Sequence, residues 1–145
     1  METFINVDVA LHDGDEWTLI VRSEKEEHAA GMLSLVGGTF DETSPASEAL
    51  EATARREVAE EIGVELTGPL QYVESTFFVS DSGDRVLNIV FMCPLGDQKP
   101  VVKAPDEVAA VVTRTLAELE ADAACPAWTK QSIRAAQALR AESRS

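Results

Sequence analysis

From Phe4 to Leu11 apolar and polar residues alternate in a β-prone run, and Trp17 to Val21 follows as a second strand. Period-two alternation sends successive side chains to opposite faces. The turn residues His12-Asp13-Gly14-Asp15 lie between, so an N-terminal hairpin is expected. Ser23 to Ala30 is polar and charged and reads as a loop. Met32 to Val36 reads as a short strand leading into Gly37-Gly38. The period then changes. Ala54, Val58 and Ile62 fall on one arc of a helical wheel. Ser44-Pro45 offers an N-cap and first-turn pair, and Gly63 stands where a helix closes on a left-handed glycine. The pattern predicts a helix over about residues 45–62. Leu70 to Ser80 and Arg85 to Cys93 flank the turn Asp81-Ser82-Gly83-Asp84 as a second hairpin. Leu95 to Asp106 is a connection bearing Gly and Pro, and Val108 to Thr113 is a last strand. A short helix begins at Thr115 to Glu120, and a C-terminal helix spans Trp128 to Ala141 with Ile133, Ala136 and Leu139 on one side. Neither a repeat nor a linker interrupts this order, so a single domain over residues 1–145 is expected, of mixed α/β (α+β) class.

Composition narrows what such a domain does. With 145 residues, 45% of them hydrophobic and 26% charged, the chain can bury a real core. Its formal net charge of −14 repels a nucleic-acid backbone, which argues against a nucleic-acid polymer as partner. A small anionic substrate stays compatible where cations and local arginines reverse the field. Cys93 and Cys125 lack metal-ligand spacing and read as buried or inert thiols in a reducing compartment. The first residues lack the basic start and apolar run of a signal peptide, and no stretch approaches the roughly 18 apolar residues of a membrane span. A cytoplasmic enzyme without membrane contact is the expectation.

The richest chemistry lies in Arg56-Glu57-Val58-Ala59-Glu60-Glu61-Ile62-Gly63-Val64. Residues three and four apart are neighbours on a helix surface, so Glu57, Glu60 and Glu61 crowd together and repel. The carboxylate arc adjoins the apolar arc, at the edge of a buried face, where burial and repulsion perturb carboxylate pKa values. Hard divalent cations take oxygen ligands of this kind. A solvated acidic face is the plainer alternative, and the adjoining apolar arc weighs against it.

These nine residues resemble the second half of the Nudix hydrolase signature, G-x5-E-x7-R-E-U-x-E-E-x-G-U with U aliphatic. Glu48 is in register, separated from Arg56 by seven residues, and Gly37-Gly38 resembles the double glycine that opens the family's loop–helix–loop. Two departures stand out. Nine residues separate Gly38 from Glu48 where the pattern has five, consistent with a four-residue insertion around Asp41 to Pro45. Leu33-Ser34-Leu35-Val36 also precedes the glycines where the family often has W-x-x-P.

The resemblance implies a Nudix-like α/β/α sandwich with a curved mixed β-sheet. It implies Mg²⁺-dependent hydrolysis, Mn²⁺ being a substitute, of the pyrophosphate bond of a nucleoside diphosphate linked to a moiety X, by water attack on phosphorus. By the same resemblance Glu57, Glu60 and Glu61 are the metal ligands, and Arg56 orients the first of them or simply pairs with Glu60. A general base comes from the box glutamates or from Glu107, whose plainer reading is a solvated loop acid. Arg22, Gly37 and Gly38 are the expected substrate-binding residues. Glu48, near the helix N-terminus, is structural. Tyr72, Phe77 and Phe78 read as core or hairpin packing, with stacking on a base as the alternative, and Trp128 as a packing anchor. His12 and His28 lie in polar stretches and are not expected to be catalytic. A small-molecule nucleotide is the expected partner, and a homodimer is among the expectations because dimerisation is common in the family. Two other readings compete: a catalytically silent Nudix-fold nucleotide-binding or sensor domain, and an acidic helix in an unrelated protein. Retention of all three box glutamates weighs against the first, and the upstream Gly-Gly against the second.

Overall fold

The computed structural model describes residues 2–26, 29–43 and 45–144, the side chain of Arg144 excepted. The expected N-cap Ser44 and His28 lie outside the described residues. Among the described residues seven strands and three helices follow in the order β1 (Thr3–Asp13), β2 (Glu16–Arg22), β3 (Leu33–Ser34), β4 (Val36–Thr39), α1 (Ala49–Ile62), β5 (Gln71–Val79), β6 (Arg85–Pro94), β7 (Val108–Thr115), α2 (Leu116–Ala121) and α3 (Ala127–Arg144).

The sheet is mixed. Strands β1 and β6 run parallel from Thr3↔Arg85 to His12↔Pro94, and the other pairings are antiparallel. Leu33 to Thr39 is interrupted at Leu35, and its halves serve different neighbours: β3 pairs with β2, then β4 with β1. The sheet therefore forks between β1 and β2, and the double glycine lies in β4 at that fork.

Alternation along the strands separates two cores. Val7, Val9 and Leu11 of β1, with Ile89, Phe91 and Cys93 of β6, face α1 through Ala54, Val58 and Ile62. Ala10, Trp17, Leu19, Val90 and Met92 face the other way, onto Leu119 of α2 and Ile133 and Ala136 of α3. The α/β/α sandwich follows from this two-sided burial.

Several expectations change in detail. Helix α1 begins at Ala49, not near residue 45. Its N-cap is Glu48, in the left-handed region at φ 52°, and no side-chain hydrogen bond caps the helix there. Gly63 closes it at φ 70°, donating to Ala59 O as expected. His12 belongs to β1 and meets Trp17 edge-on with centroids 5.6 Å apart. Tyr72, Phe77 and Phe78 are 54%, 60% and 50% exposed, so they are not core. They sit on β5, an edge strand with neighbours on one side only. Trp128, 63% exposed, anchors no core either and instead lines a groove of about 560 Å³ with Met32 and Pro126. Cys93 and Cys125 are buried free thiols in opposite cores.

Candidate active site

The end of α1 faces the sheet fork. Glu61 is 5% exposed, and its Oε1 accepts a hydrogen bond from the Gly37 amide at 3.0 Å. A Cβ on Gly38 would strike the Glu57 carboxylate, so only glycine lets that acid lie against the strand. A Cβ on Gly37 would strike Val7 O and Asp8. Strand neighbours alternate in direction, so β4 is a thin partition here, with Asp8 over one face and Glu57 over the other. Asp8 escaped the sequence reading because a lone acid in a strand carries no spacing signal. Its place opposite Gly37 was the missing clue.

Arg56 bridges the carboxylates at the surface. Its Nη1 lies 3.5 Å from Glu57 Oε1 and 3.8 Å from Glu60 Oε1, so it orients the first glutamate and pairs with the second at once. The longer 39–47 loop reaches it from outside, with Asp41 Oδ1 3.3 Å from Nη2 and Glu42 Oε1 3.6 Å from Nε. Glu60 turns toward solvent, its side chain 57% exposed.

Backbone bonds to the C-terminal turn of α1 bring a second loop in. Val101 N–H donates to Ile62 O and Lys103 N–H to Glu61 O, both at 3.0 Å. These satisfy carbonyls that a helix end leaves without partners. The following turn carries Glu107, an exposed residue close enough to act electrostatically on both Glu57 and Glu61. Glu107 O accepts from Ser23 N–H at 2.9 Å, which draws in the end of β2 and Arg22. Arg22 lies 3.5 Å from Glu26 and acts on Asp8. The structure thus gathers Arg22, Gly37, Gly38, Arg56, Glu57, Glu60, Glu61 and Glu107 around one fork and leaves Glu48 at the far end of α1.

The electrostatics are those of carboxylates short of cations. Burial pushes Glu61 up to about 8, against the Gly37 amide, with Glu57, Glu107 and Asp8 adding to the rise. Burial also raises Glu57; Arg56 opposes this, while Glu60, Glu107 and Asp41 reinforce it. Asp8 rises to about 6 through burial, in spite of hydrogen bonds from Asn6 and Asn88 and the charge of Arg22. Some surface of Asp8 stays accessible, but its carboxylate is enclosed. Among the described residues no three His, Cys, Asp or Glu side chains already surround one point as metal ligands would. The fit to a hard divalent cation rests on donor chemistry: all-oxygen ligands whose charged forms are disfavoured until positive charge arrives.

Comparison with known proteins bears on the family and the fold. The NUDIX domain family model matches residues 2–135. No curated protein matches the sequence. Solved structures match over nearly the whole fold. A MutT Nudix hydrolase from Burkholderia pseudomallei has TM-score 0.78 and 20% identity, covering 93% of this chain and 98% of that one. A MutT protein from Methanosarcina mazei Go1 has TM-score 0.77 and 21% identity, covering 92% and 91%. The Nudix domain of Shewanella oneidensis NrtR, complexed with ADP ribose, has TM-score 0.77 and 22% identity, covering 95% and 88%. At such identities the structures speak for the fold, and the family model speaks for descent: this chain belongs to the Nudix family.

Proposed function

We propose that the fork between β1 and β2 hydrolyses the pyrophosphate bond of a nucleoside diphosphate linked to a moiety X, with Mg²⁺ as the metal and Mn²⁺ as a substitute. The observation that carries this is the pair of carboxylates, Glu57 and Glu61, packed against Gly38 and Gly37 with their charged forms disfavoured. Glu57, Glu60 and Glu61 would hold the cation. Held there, it would supply the positive charge that offsets the phosphate oxygens and the leaving group, and would lower the pKa of a water.

The chain's own groups supply the rest. Arg56 fixes the Glu57 carboxylate by charge and keeps Glu60 at hand. Gly37 commits its N–H to Glu61, setting the rotamer of that acid. Arg22, at the end of β2 and close enough to act on Asp8, would contribute positive charge to substrate phosphates. Glu107 or a box glutamate accepts the proton of the attacking water at a carboxylate oxygen.

The test is a phosphate-release screen with Mg²⁺ over nucleoside triphosphates, nucleotide sugars, dinucleoside polyphosphates and ADP ribose. One class should turn over, and EDTA should abolish the turnover. Undiminished turnover in EDTA would contradict the mechanism. Binding of one class without hydrolysis would favour the silent sensor reading.

A further inference from the structure

Arg56 carries one positive charge and has four carboxylates within 3.8 Å. Two of them, Glu57 and Glu60, stand on α1. The other two, Asp41 and Glu42, stand on the stretch between Gly38 and Glu48, which has nine residues where the family pattern has five. A guanidinium and a carboxylate left to themselves close to about 2.7–2.9 Å, commonly through two parallel bonds. No partner of Arg56 comes that near. Nη1 stands 3.5 Å from Glu57 and 3.8 Å from Glu60, Nη2 stands 3.3 Å from Asp41, and Nε stands 3.6 Å from Glu42. The contact with Asp41 is a hydrogen bond, while Nε is buried without one.

The guanidinium is thus suspended between a pair of helix acids and a pair of loop acids. The loop has purchase because its start is fixed: Phe40 N–H donates to Ile5 O at 2.8 Å, and Asp41 follows directly. The division matters for the chemistry of the site. An arginine free to close bidentately on Glu57 would occupy the oxygens that a divalent cation needs. It would also bring its own positive charge against the cation.

We propose, resting on the cation reading above, that Asp41 and Glu42 are positioning residues that act through Arg56. They divide its guanidinium, so that it orients Glu57 without closing on it and leaves the oxygens of Glu57 and Glu60 open to a divalent cation. The longer loop thereby tunes the metal affinity of the site while touching neither metal nor substrate. A plain long-range attraction of two loop acids for a cation would also raise affinity, but it would not need Arg56. A double-mutant cycle separates the two.

The experiment is a calorimetric titration of Mg²⁺ alone into four proteins: native, Asp41→Asn with Glu42→Gln, Arg56→Gln, and the triple variant. With Arg56 present, loss of the two loop acids should weaken Mg²⁺ binding about fivefold or more, as coupling within one ion-pair network allows. With Arg56→Gln, the same loss should change binding less than about twofold. Equal weakening in both backgrounds would overturn the proposal in favour of attraction at a distance, and no weakening beside a native Arg56 would overturn it outright. Should Arg56→Gln not fold, Asp41→Glu with Glu42→Asp decides, because it keeps both charges and alters their reach. Positioning predicts weaker Mg²⁺ binding there, and native affinity would overturn it. Failure of the cation reading is seen separately, as absence of Mg²⁺ binding to the native protein.

Discussion

At the residue scale the double glycine does two jobs that its two substitutions separate. An added methyl on Gly37 meets the Val7 carbonyl oxygen and Asp8 Cα, backbone that yields little. Gly37→Ala should cost about 1–3 kcal/mol, as overpacking does, visible as a lower urea midpoint. The same methyl on Gly38 meets only the carboxylate end of Glu57. Gly38→Ala should fold near normally and lose more than tenfold in turnover; full turnover would mean that the seat of Glu57 is immaterial. Asp8 gives a pH signature. Burial lifts its folded pKa to about 6 from an ordinary 3.8, so the fold favours the protonated acid. The stability from that preference is complete below about pH 4 and lost as pH rises to about 6. Asp8→Asn should therefore gain on the native protein as pH climbs, by about 1–2 kcal/mol at pH 7 after allowance for residual solvent. Urea midpoints of both proteins at pH 4 and pH 7 check this; a difference independent of pH would rule it out.

At the scale of elements, α1 works because both of its flanks are tied down. Arg55 donates through Nη1 to Leu66 O at 2.8 Å and through Nη2 to Gly68 O at 2.9 Å, folding the segment after the helix back along it. Arg55→Met should cost about 1–3 kcal/mol, the range for charged hydrogen bonds, measured as a fall in melting temperature with the spacing of the box glutamates kept. The sequence made the second half of α1 readable, because its apolar arc and closing glycine are local signals. The start was misread. Ser44-Pro45 is good capping chemistry, but the longer loop runs on to Glu48, and its acids Asp41 and Glu42 reach Arg56. The exposure of Phe77 and Phe78 on β5 was illegible for a related reason, although Tyr72 does pack within the hairpin, edge-on to Phe91. Period and propensity mark a strand, while its place at the sheet edge is set by which strands pair, and pairing is not local.

At the scale of the molecule, composition gave the class and the motif gave the ligand helix, but neither could place Asp8, Glu107 or Arg22 relative to it. Three long-range features do that: the parallel β1·β6 pairing, the switch of Leu33–Thr39 between partners, and the loop bonded to the end of α1. A chain with formal net charge −14 can still bind a polyphosphate if the fork takes up cations. The central claim is that its buried carboxylates exist to do so. The most direct measurement is a titration of Mg²⁺ into the native protein and into Glu61→Gln, followed on the same samples by phosphate release. The native protein should bind Mg²⁺ and turn over substrate, and Glu61→Gln should stay folded, bind at least tenfold more weakly and lose turnover by orders of magnitude. Glu61→Gln matching the native protein in both would contradict the account.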